Sequence, residues 1–254
     1  MKYALVNDER VEAQKGMRGI CPVCHKPVIA RCGNIKVNHW AHSNSAQCDK
    51  WWEAETEWHR AWKNLFPKEW QEIIAYDEKT GEKHVADIKT DKDLVIEFQH
   101  SHIKPEEQTS REEFYKNMIW IVDGTRLKYD FPRFLKVFNY RDLIHIPNTG
   151  IYLMNFPDEY LPKSCLNRKV PVFLDFKGKT NWINDTPDES IKRHILWCIL
   201  PIKIASSSVV ITHKREQLIE LLQNDSLYIN YQTIINVIKE ALQRKQQIVK
   251  ALRI

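Results

Sequence analysis

The stretch HVADIKTDKDLVIEFQHSHI, residues 84–103, contains two short β-like runs separated by a polar turn at residues 91–92. Side chains alternate between the two faces of a strand, so Glu97 and Gln99 share one face of the second run. A closed hairpin brings Asp87, on the first run, close to that pair. The pattern predicts either a built acidic site or an ordinary half-buried strand with one solvated face.

The elements on either side of this hairpin follow the order helix, three strands, helix, strand. Apolar residues recur at steps of three and four before the hairpin, which is typical of a helix, and Pro105 favours the start of another helix after it. In chain order, the predicted elements are a helix over 51–66, a strand over 70–76, the two hairpin strands, a helix over 105–117 and a buried strand over 118–124. This order predicts an α/β fold, of the α+β type with a mixed sheet.

The composition is that of an ordinary globular chain. Of the 254 residues, 43% are hydrophobic and 28% are charged, and the formal net charge of +5 suits a polyanionic partner without requiring one. No apolar run approaches the ~20 residues that a membrane-spanning helix needs, so no membrane partner is expected. The N-terminal segment lacks the apolar core of a secretory signal, and the six Cys favour an intracellular metal site over a disulfide framework. We therefore expect a cytoplasmic protein.

Three regions are predicted along the chain. Residues 1–50 form a small zinc-knuckle module that precedes the core over 51–148, and PNTG at 147–150 marks a boundary. Residues 149–254 form a C-terminal region of unknown role, ranging from α/β to mainly helical. Its predicted strands cover 151–156 and 170–176, and its predicted helices cover 188–200, 214–223 and 230–252. The last helix is amphipathic, so a homodimer or larger assembly through this region is an alternative to an ordinary surface helix.

The first region carries metal-ligand spacing. Cys21 and Cys24 are separated by two residues, which lets two thiolates bind one ion from a single turn, and His39 and His42 supply two further ligands. This set predicts a tetrahedral Zn²⁺ site, which is closed by four protein ligands and is therefore structural. The spare ligand-type residues of the region, each an alternative ligand, are Cys32, Cys48 and His25.

The acidic residues of the hairpin have the character of a phosphodiesterase site. Mg²⁺, or Mn²⁺ in its place, is held by clustered carboxylates, and Asp87 and Glu97 are positioned to provide them. Upstream, Glu55, His59 and Lys63 are spaced four residues apart, so a helix places them along one side. The alternative for this row is an ordinary Glu–His–Lys ladder on a helix surface.

A resemblance to a known family rests on six segments: CPVC, HWAH, ETEWHRAWK, VADI, IEFQHSHI and FYKNMIWIVDG. Over about residues 15–124, they resemble the competence protein CoiA-like family of the PD-(D/E)XK, or restriction-endonuclease-like, nuclease superfamily. The resemblance implies the restriction-endonuclease-like αβββαβ core, with Asp87 and Glu97 as metal ligands. It also implies Gln99 in the position where many relatives have the active-site Lys, and Glu55 as an additional acid.

Two positions depart from the superfamily pattern. Gln99 is a neutral amide, which orients water or phosphate but does not stabilise charge as Lys does, although Gln is what this family tends to show there. Lys63 or Lys89 would then supply the positive charge. Val85 stands where the family often has Arg, and neighbouring basic residues would stand in for it.

Four further side chains are candidates for contact with the substrate. They are His59 on the first helix, Ser101 after the hairpin, and Arg111 and Tyr115 on the second helix. For Arg111 and the nearby Gln108, a solvated helix face is the alternative.

We expect a Mg²⁺- or Mn²⁺-dependent nuclease that hydrolyses phosphodiester bonds in nucleic acid, with DNA as the expected substrate and foreign-DNA processing or defence as its role. One alternative is a catalytically inactive nucleic-acid-binding module on a nuclease-derived fold. Another is a zinc-organised protein–protein adaptor that uses the C-terminal helices.

Overall fold

The computed structural model describes residues 1–43, 48–77, 80–146, 150–180 and 194–224, with further single positions between 226 and 238. The chain divides into two compact units, Met1–Ile121 and Val122–Ile254. No helix within the described ranges combines the length and the apolar character needed to cross a membrane.

The first unit opens with a five-stranded antiparallel sheet. Its strands are β1 (Tyr3–Val6), β2 (Glu9–Glu12), β3 (Arg18–Ile20), β4 (Pro27–Arg31) and β5 (His39–His42), in the order β2-β1-β3-β4-β5. A small core of Ala4, Cys21, Val28 and Trp40 is fully buried against it. A core of this size stabilises a module only weakly, so an additional cross-link such as a metal ion is expected.

Between residues 57 and 123 the chain contains the predicted succession of elements. They are α1 (Glu57–Lys63), β6 (Gln71–Tyr76), β7 (Lys83–Lys89), β8 (Val95–Gln99), α2 (Pro105–Tyr115) and β9 (Met118–Asp123). β6, β7 and β8 are antiparallel neighbours, and β9 lies beside β8. The mixed α/β class and the order helix, three strands, helix, strand are therefore confirmed.

α1 is shorter than the helix predicted over residues 51–66. Thr56 has extended backbone angles, its hydroxyl accepts a hydrogen bond from the His59 backbone N–H, and the His59 ring accepts one from the Thr56 N–H. This reciprocal capping box fixes the start of α1. The aromatic segment before Thr56 is not helical, so Glu55 does not continue the row of His59 and Lys63 along the helix.

β8 is buried on both faces. All five of its residues are buried, including Glu97 and Gln99, which are 3% and 6% exposed. The half-buried strand with a solvated face, one of the two interpretations of the hairpin, is therefore wrong. Burying a carboxyl group is costly unless it is paired and hydrogen-bonded, so Glu97 requires partners inside the unit.

The second unit is built on an antiparallel sheet in the order β10-β11-β14-β13-β12, flanked by helices. The elements are α3 (Asp130–Asn139), β10 (Leu143–His145), β11 (Ile151–Met154), α4 (Pro157–Tyr160), β12 (Val172–Asp175), β13 (Ile195–Ile204), β14 (Ser207–Lys214) and α5 (Arg215–Gln223). The strands predicted over 151–156 and 170–176 and the helix predicted over 214–223 correspond to β11, β12 and α5.

The helix predicted over residues 188–200 is wrong from Ile195 onward, where β13 begins; the preceding residues 188–193 lie outside the described part. A continuous apolar run fits a buried strand as well as a buried helix, and pairing with β14 selects the strand. The described residues after 149 therefore lie in strands more often than in helices, rather than being mainly helical. The helix predicted over 230–252, and the assembly expected through it, fall largely outside the described residues.

Candidate active site and metal centre

Four side chains of the first unit form a cluster that could hold a metal ion. Ligand atoms of Cys21, Cys24, His42 and Cys48 all lie within 4.8 Å of one another. Cys21 Sγ is 3.7 Å from Cys48 Sγ, and Cys24 Sγ is 3.2 Å from His42 Nε2. Tetrahedral zinc with Zn–S bonds of ~2.3 Å places neighbouring sulfurs about 3.8 Å apart, so this donor set fits Zn²⁺.

His39, one of the four predicted ligands, does not join this cluster, and Cys48 takes its place. His39 and His42 lie three residues apart on β5, and side chains at that spacing leave a strand on opposite faces. The His39 ring Nδ1 instead lies 2.9 Å from the backbone oxygen of Val37. The expected Cys2His2 set is therefore corrected to Cys3His.

Asp49 links the cluster to the acidic strand β7. One carboxylate oxygen accepts hydrogen bonds from the Trp51 N–H and the His84 ring, and the other accepts one from the Val85 N–H, all at 2.8–2.9 Å. Burial would raise the pKa of Asp49, but these hydrogen bonds outweigh it and lower the pKa. The residue that follows the last metal ligand is thus fixed to β7, two residues before Asp87.

The hairpin brings Asp87 and Glu97 side by side. Glu97 Oε1 accepts a hydrogen bond from the Asp87 N–H at 3.2 Å, and Asp87 Oδ2 accepts one from the Phe98 N–H at 3.0 Å. Burial, reinforced by the neighbouring charge of Asp87, raises the pKa of Glu97 to about 8. The Asp87 side chain is 22% exposed. Two carboxyl groups from adjacent strands therefore lie together, one buried and one accessible.

Lys63, buried at the end of α1, lies among three carboxylates. Its Nζ is 2.8 Å from Asp87, 3.3 Å from Glu72 and 3.5 Å from Glu55. Burial would lower the pKa of Lys63, but the three carboxylates outweigh it and hold the pKa well above its usual value, so the ammonium stays charged. Of the two cations considered from the sequence, Lys63 reaches Asp87, whereas Lys89 pairs with a residue of the hairpin turn.

Glu72 is a member of this group that the hairpin pattern does not reveal. It lies on β6 between two residues that pair with the neighbours of Asp87 on β7, and its φ of 47° is in the left-handed region that a non-glycine residue rarely adopts. Its carboxylate accepts hydrogen bonds from the Lys2 and Tyr3 N–H groups at 2.7 and 3.0 Å. Burial would raise the pKa of Glu72, but Lys63 and these N–H groups lower it to about 2. Strain of this kind clusters at functional sites.

Arg111 on α2 is the partner of Glu97. Its guanidinium donates to Glu97 Oε2 at 2.8 Å and to the Trp51 carbonyl at 2.7 Å, and it also pairs with Glu107. Arg111 is buried and committed to these acceptors, so it is neither a free phosphate contact nor part of a solvated helix face. Gln108, at 2% exposure, is not on a solvated face either.

Arg111→Met should lower the free energy of unfolding by about 3–5 kcal/mol, because it leaves Glu97 buried beside Asp87 without its cation. Urea unfolding followed by tryptophan fluorescence measures the change. The matched control is Glu107→Gln, which removes the more exposed partner of the same guanidinium and should cost less than about 1 kcal/mol. Equal losses of unfolding free energy in the two variants would contradict the prediction that the buried Arg111–Glu97 pair contributes more than the exposed Arg111–Glu107 pair.

A second polar group surrounds Glu53, an acid that no sequence motif singles out. Its carboxylate accepts hydrogen bonds from His59 Nε2 at 2.6 Å, from Gln99 Nε2 at 3.2 Å and from the Ser101 hydroxyl. Gln99 also donates to the Ser101 carbonyl at 2.7 Å. Burial would lower the pKa of His59, but its hydrogen bond to Glu53 and the charge of Asp87 raise it. The Gln99 amide is thus used to orient another side chain.

Tyr115 lies in the core of the first unit. Its ring contacts Trp51 and Phe114, with ring centres 5.9 and 5.1 Å away, and its hydroxyl is buried without a hydrogen-bond partner. Burial raises the pKa of this hydroxyl. Tyr115 is only 9% exposed, and its expected contact with the substrate stays a prediction.

One cavity of the first unit, with a volume of about 240 Å³, borders both groups. From the Cys3His cluster it is lined by His42 and Cys48, and from the acidic group by Asp87, Glu97 and Lys63. The candidate metal centre and the candidate active site therefore border the same space.

Two carboxyl groups lie on adjacent strands of an αβββαβ succession, which is the arrangement that the nuclease resemblance implies. Two family models match: the N-terminal domain of competence protein CoiA over residues 5–50, and the CoiA nuclease-like domain over residues 72–171. Together they cover more than half of the chain, which therefore belongs to the competence protein CoiA family. The nuclease-like domain implies the PD-(D/E)XK superfamily. No curated protein and no solved structure gives a match.

Proposed function

We propose that this protein is a Mg²⁺- or Mn²⁺-dependent nuclease that hydrolyses phosphodiester bonds in nucleic acid, with DNA as its substrate. The observation that carries the proposal is the Asp87–Glu97 pair, which lines a cavity with Lys63 against Asp87. The nuclease-like domain of the family supports it. A structural Zn²⁺ in the Cys3His cluster belongs to the same proposal.

Asp87 and Glu97 would hold the divalent cation. Mg²⁺ binds through one or two carboxylates and keeps waters or substrate phosphates in its other positions, which suits a donor set of two carboxylates. When bound, such a cation polarises a phosphoryl oxygen and lowers the pKa of a coordinated water. Since the pKa of Glu97 is raised and a metal ligand must be a carboxylate, binding of the cation should strengthen as the pH rises.

The other residues of the site hold these two acids and balance their charge. Arg111 keeps Glu97 in its buried position. Lys63 places a fixed positive charge beside Asp87, where negative charge on a bound phosphate would be stabilised. Gln99 occupies the usual Lys position but orients Glu53. The cation missing from β8 is therefore supplied from α1.

Lys63→Gln should lower the cleavage rate about 100-fold, which is the order of loss when one preorganised group is removed from a charge-stabilising site. Lys89→Gln is the control, and its rate should stay within about twofold of wild type because Lys89 pairs with a turn residue. Lys63→Arg, which keeps the charge, should retain more activity than Lys63→Gln. Melting temperatures measured beside the rates identify unfolded variants, and a folded Lys63→Gln protein with the wild-type rate would contradict the assignment.

The nuclease is tested with supercoiled plasmid and labelled single strands of DNA and RNA, each incubated with Mg²⁺, Mn²⁺ or EDTA. Metal-dependent cutting that an Asp87 variant loses would support the proposal, and the substrate that is cut would define its preferred strand form. No cutting with any metal would contradict it.

One observation favours a second candidate function, a nucleic-acid-binding module without catalysis. Gln99 puts a neutral amide where the superfamily commonly has a cation, and that amide is already hydrogen-bonded to Glu53 and to the Ser101 carbonyl. Binding of DNA in EDTA, together with no cleavage under any metal, would support this candidate.

Membership of a competence family supports a role in processing incoming DNA, and defence against foreign DNA would use the same chemistry. A deletion strain distinguishes the two roles. Loss of a role in processing incoming DNA would lower the transformation frequency of that strain. Loss of a defence role would raise the efficiency with which phage infect it.

A further inference from the structure

The cavity of about 240 Å³ has an aromatic and apolar lining beside its acidic one. Three tryptophans, Trp40, Trp51 and Trp52, line it together with Val23 and Val85. Carboxylates that hold a cation need no indole rings beside them, so the tryptophans require a separate explanation.

Two of these tryptophans are already committed to the protein. The Trp40 side chain is 1% exposed, and its indole N–H donates to the Val11 carbonyl at 2.9 Å. Trp51 is 7% exposed, and one face of its ring is stacked on His84, with ring centres 3.3 Å apart. Both therefore shape the wall of the cavity.

Trp52 differs from its neighbours. It is 41% exposed, and its ring makes no contact with another aromatic ring among the described residues. Leaving an indole in water at the edge of a cavity is unfavourable, because the ring is one of the largest apolar surfaces that a side chain offers. A partly exposed indole that lines the same cavity as the proposed phosphodiester site suits base stacking, which proteins that bind single strands use on their aromatic side chains.

We propose that Trp52 is a stacking platform for one unpaired nucleobase, so that the cavity takes a single-stranded nucleotide with its phosphate toward Asp87 and Glu97. The inference rests on the proposed nuclease function and adds the form of the substrate. A nucleotide matches the mixed lining, because its base is flat and aromatic and its phosphate binds a cation held by the carboxylates.

Paired DNA does not meet these requirements. In a duplex each base is stacked between its neighbours and presents only its edges in the grooves, so it has no free face for an indole. A duplex base would have to be extruded first, at a cost of a few kcal/mol. Single strands, unpaired ends and flipped bases are therefore the substrates that the cavity favours.

The test compares Trp52→Ala with wild type in binding a labelled single strand of about 12 nucleotides and the matching duplex. Fluorescence anisotropy is measured in Ca²⁺, an oxygen-seeking cation, and cleavage is measured separately in Mg²⁺. Trp52→Ala should raise the Kd for the single strand roughly 5- to 100-fold, the range expected for losing one stacked base. Trp52→Phe keeps an aromatic ring, so its Kd for the single strand should lie between those of wild type and Trp52→Ala. Tyr76→Ala, which removes an exposed aromatic residue outside the cavity lining, is the matched control and should bind as wild type does.

A strand with one abasic nucleotide gives a second readout. In a series of strands, the abasic nucleotide is placed at each position in turn. At one position it should raise the Kd of the wild-type protein, and at that position it should leave the Kd of Trp52→Ala unchanged. Single-strand binding by Trp52→Ala as tight as by wild type would overturn the proposal, and so would equal losses for single strand and duplex. Because the binding arm needs no cleavage, a failure of the nuclease proposal and a failure of the stacking proposal give different results.

Discussion

Asp87→Asn is expected to lower metal-dependent cleavage by more than about 100-fold while the protein stays folded. Losing even an outer partner of a metal ligand costs roughly 10- to 100-fold in affinity or activity, and an amide in place of a ligating carboxylate should cost more. The substitution is nearly isosteric, and the amide oxygen still accepts the hydrogen bond from the Phe98 N–H. Lys63 keeps Glu55 and Glu72 as partners. Cleavage of a single strand in Mg²⁺ and the melting temperature are measured together.

The matched control is Asp93→Asn, the same change on the turn of the same hairpin. Asp93 has an 82% exposed side chain and a φ of 61°, which Asn tolerates, so both rate and stability should be unchanged. Asp87→Asn is a cleaner test than a change at Glu97, because removing Glu97 also leaves Arg111 buried without its partner. Full activity in folded Asp87→Asn protein would exclude the proposed catalytic role of the pair.

His42→Ala should abolish stoichiometric zinc binding, whereas His39→Ala should keep it. His42 contributes a ligand atom to the Cys3His cluster, and His39 leaves β5 on the other face. Structural zinc supplies apparent binding free energies of about 10–16 kcal/mol in small zinc-finger peptides, so its loss should unfold the N-terminal sheet. Metal content by elemental analysis and thermal unfolding with and without a chelator measure both effects.

Cysteine variants provide the matched controls for the metal centre. Cys48→Ser should behave as His42→Ala does, while Cys32→Ser should bind metal normally, because the Cys32 thiol is near the Ala13 carbonyl and outside the cluster. Normal zinc content in Cys48→Ser combined with its loss in His39→Ala would restore the ligand set expected from spacing alone.

The hairpin and its flanking elements could be predicted because local signals and tertiary structure agree there. Alternation over residues 94–101 places Glu97 and Gln99 on one face, and the short turn fixes which residue of the preceding strand they face. The continuous apolar run of β9 is six residues long, which is the usual length of a buried strand and too short for a typical helix. The metal module could be predicted as a module, since the spacing of Cys21 and Cys24 lets two thiolates bind one ion from a single turn.

Other features depend on contacts that periodicity does not contain. The start of α1 is set by one hydroxyl, that of Thr56, although the helical spacing of apolar residues continues before it. Glu72 joins the site only because β6 pairs with β7 in a particular register. Cys48 replaces His39 because strand geometry separates two histidines that spacing alone treats as a pair. A Thr followed three residues later by His, which can form a capping box, is the one local signal that would have shortened the helix.

The hydrogen bonds of Asp49 join the Cys3His cluster to the acidic strand, so binding of the proposed zinc ion and the stability of β7 are expected to be thermodynamically linked. An ion held by the cluster as proposed would fix Cys48, the neighbour of Asp49, and Asp49 holds β7 through the Val85 N–H, so part of the ion's binding free energy would be used to position Asp87. Such coupling is reciprocal, and a ligand that stabilises β7 must tighten zinc binding by the same factor. Under the proposed function, removal of zinc by a chelator should therefore weaken affinity for nucleic acid before the module unfolds.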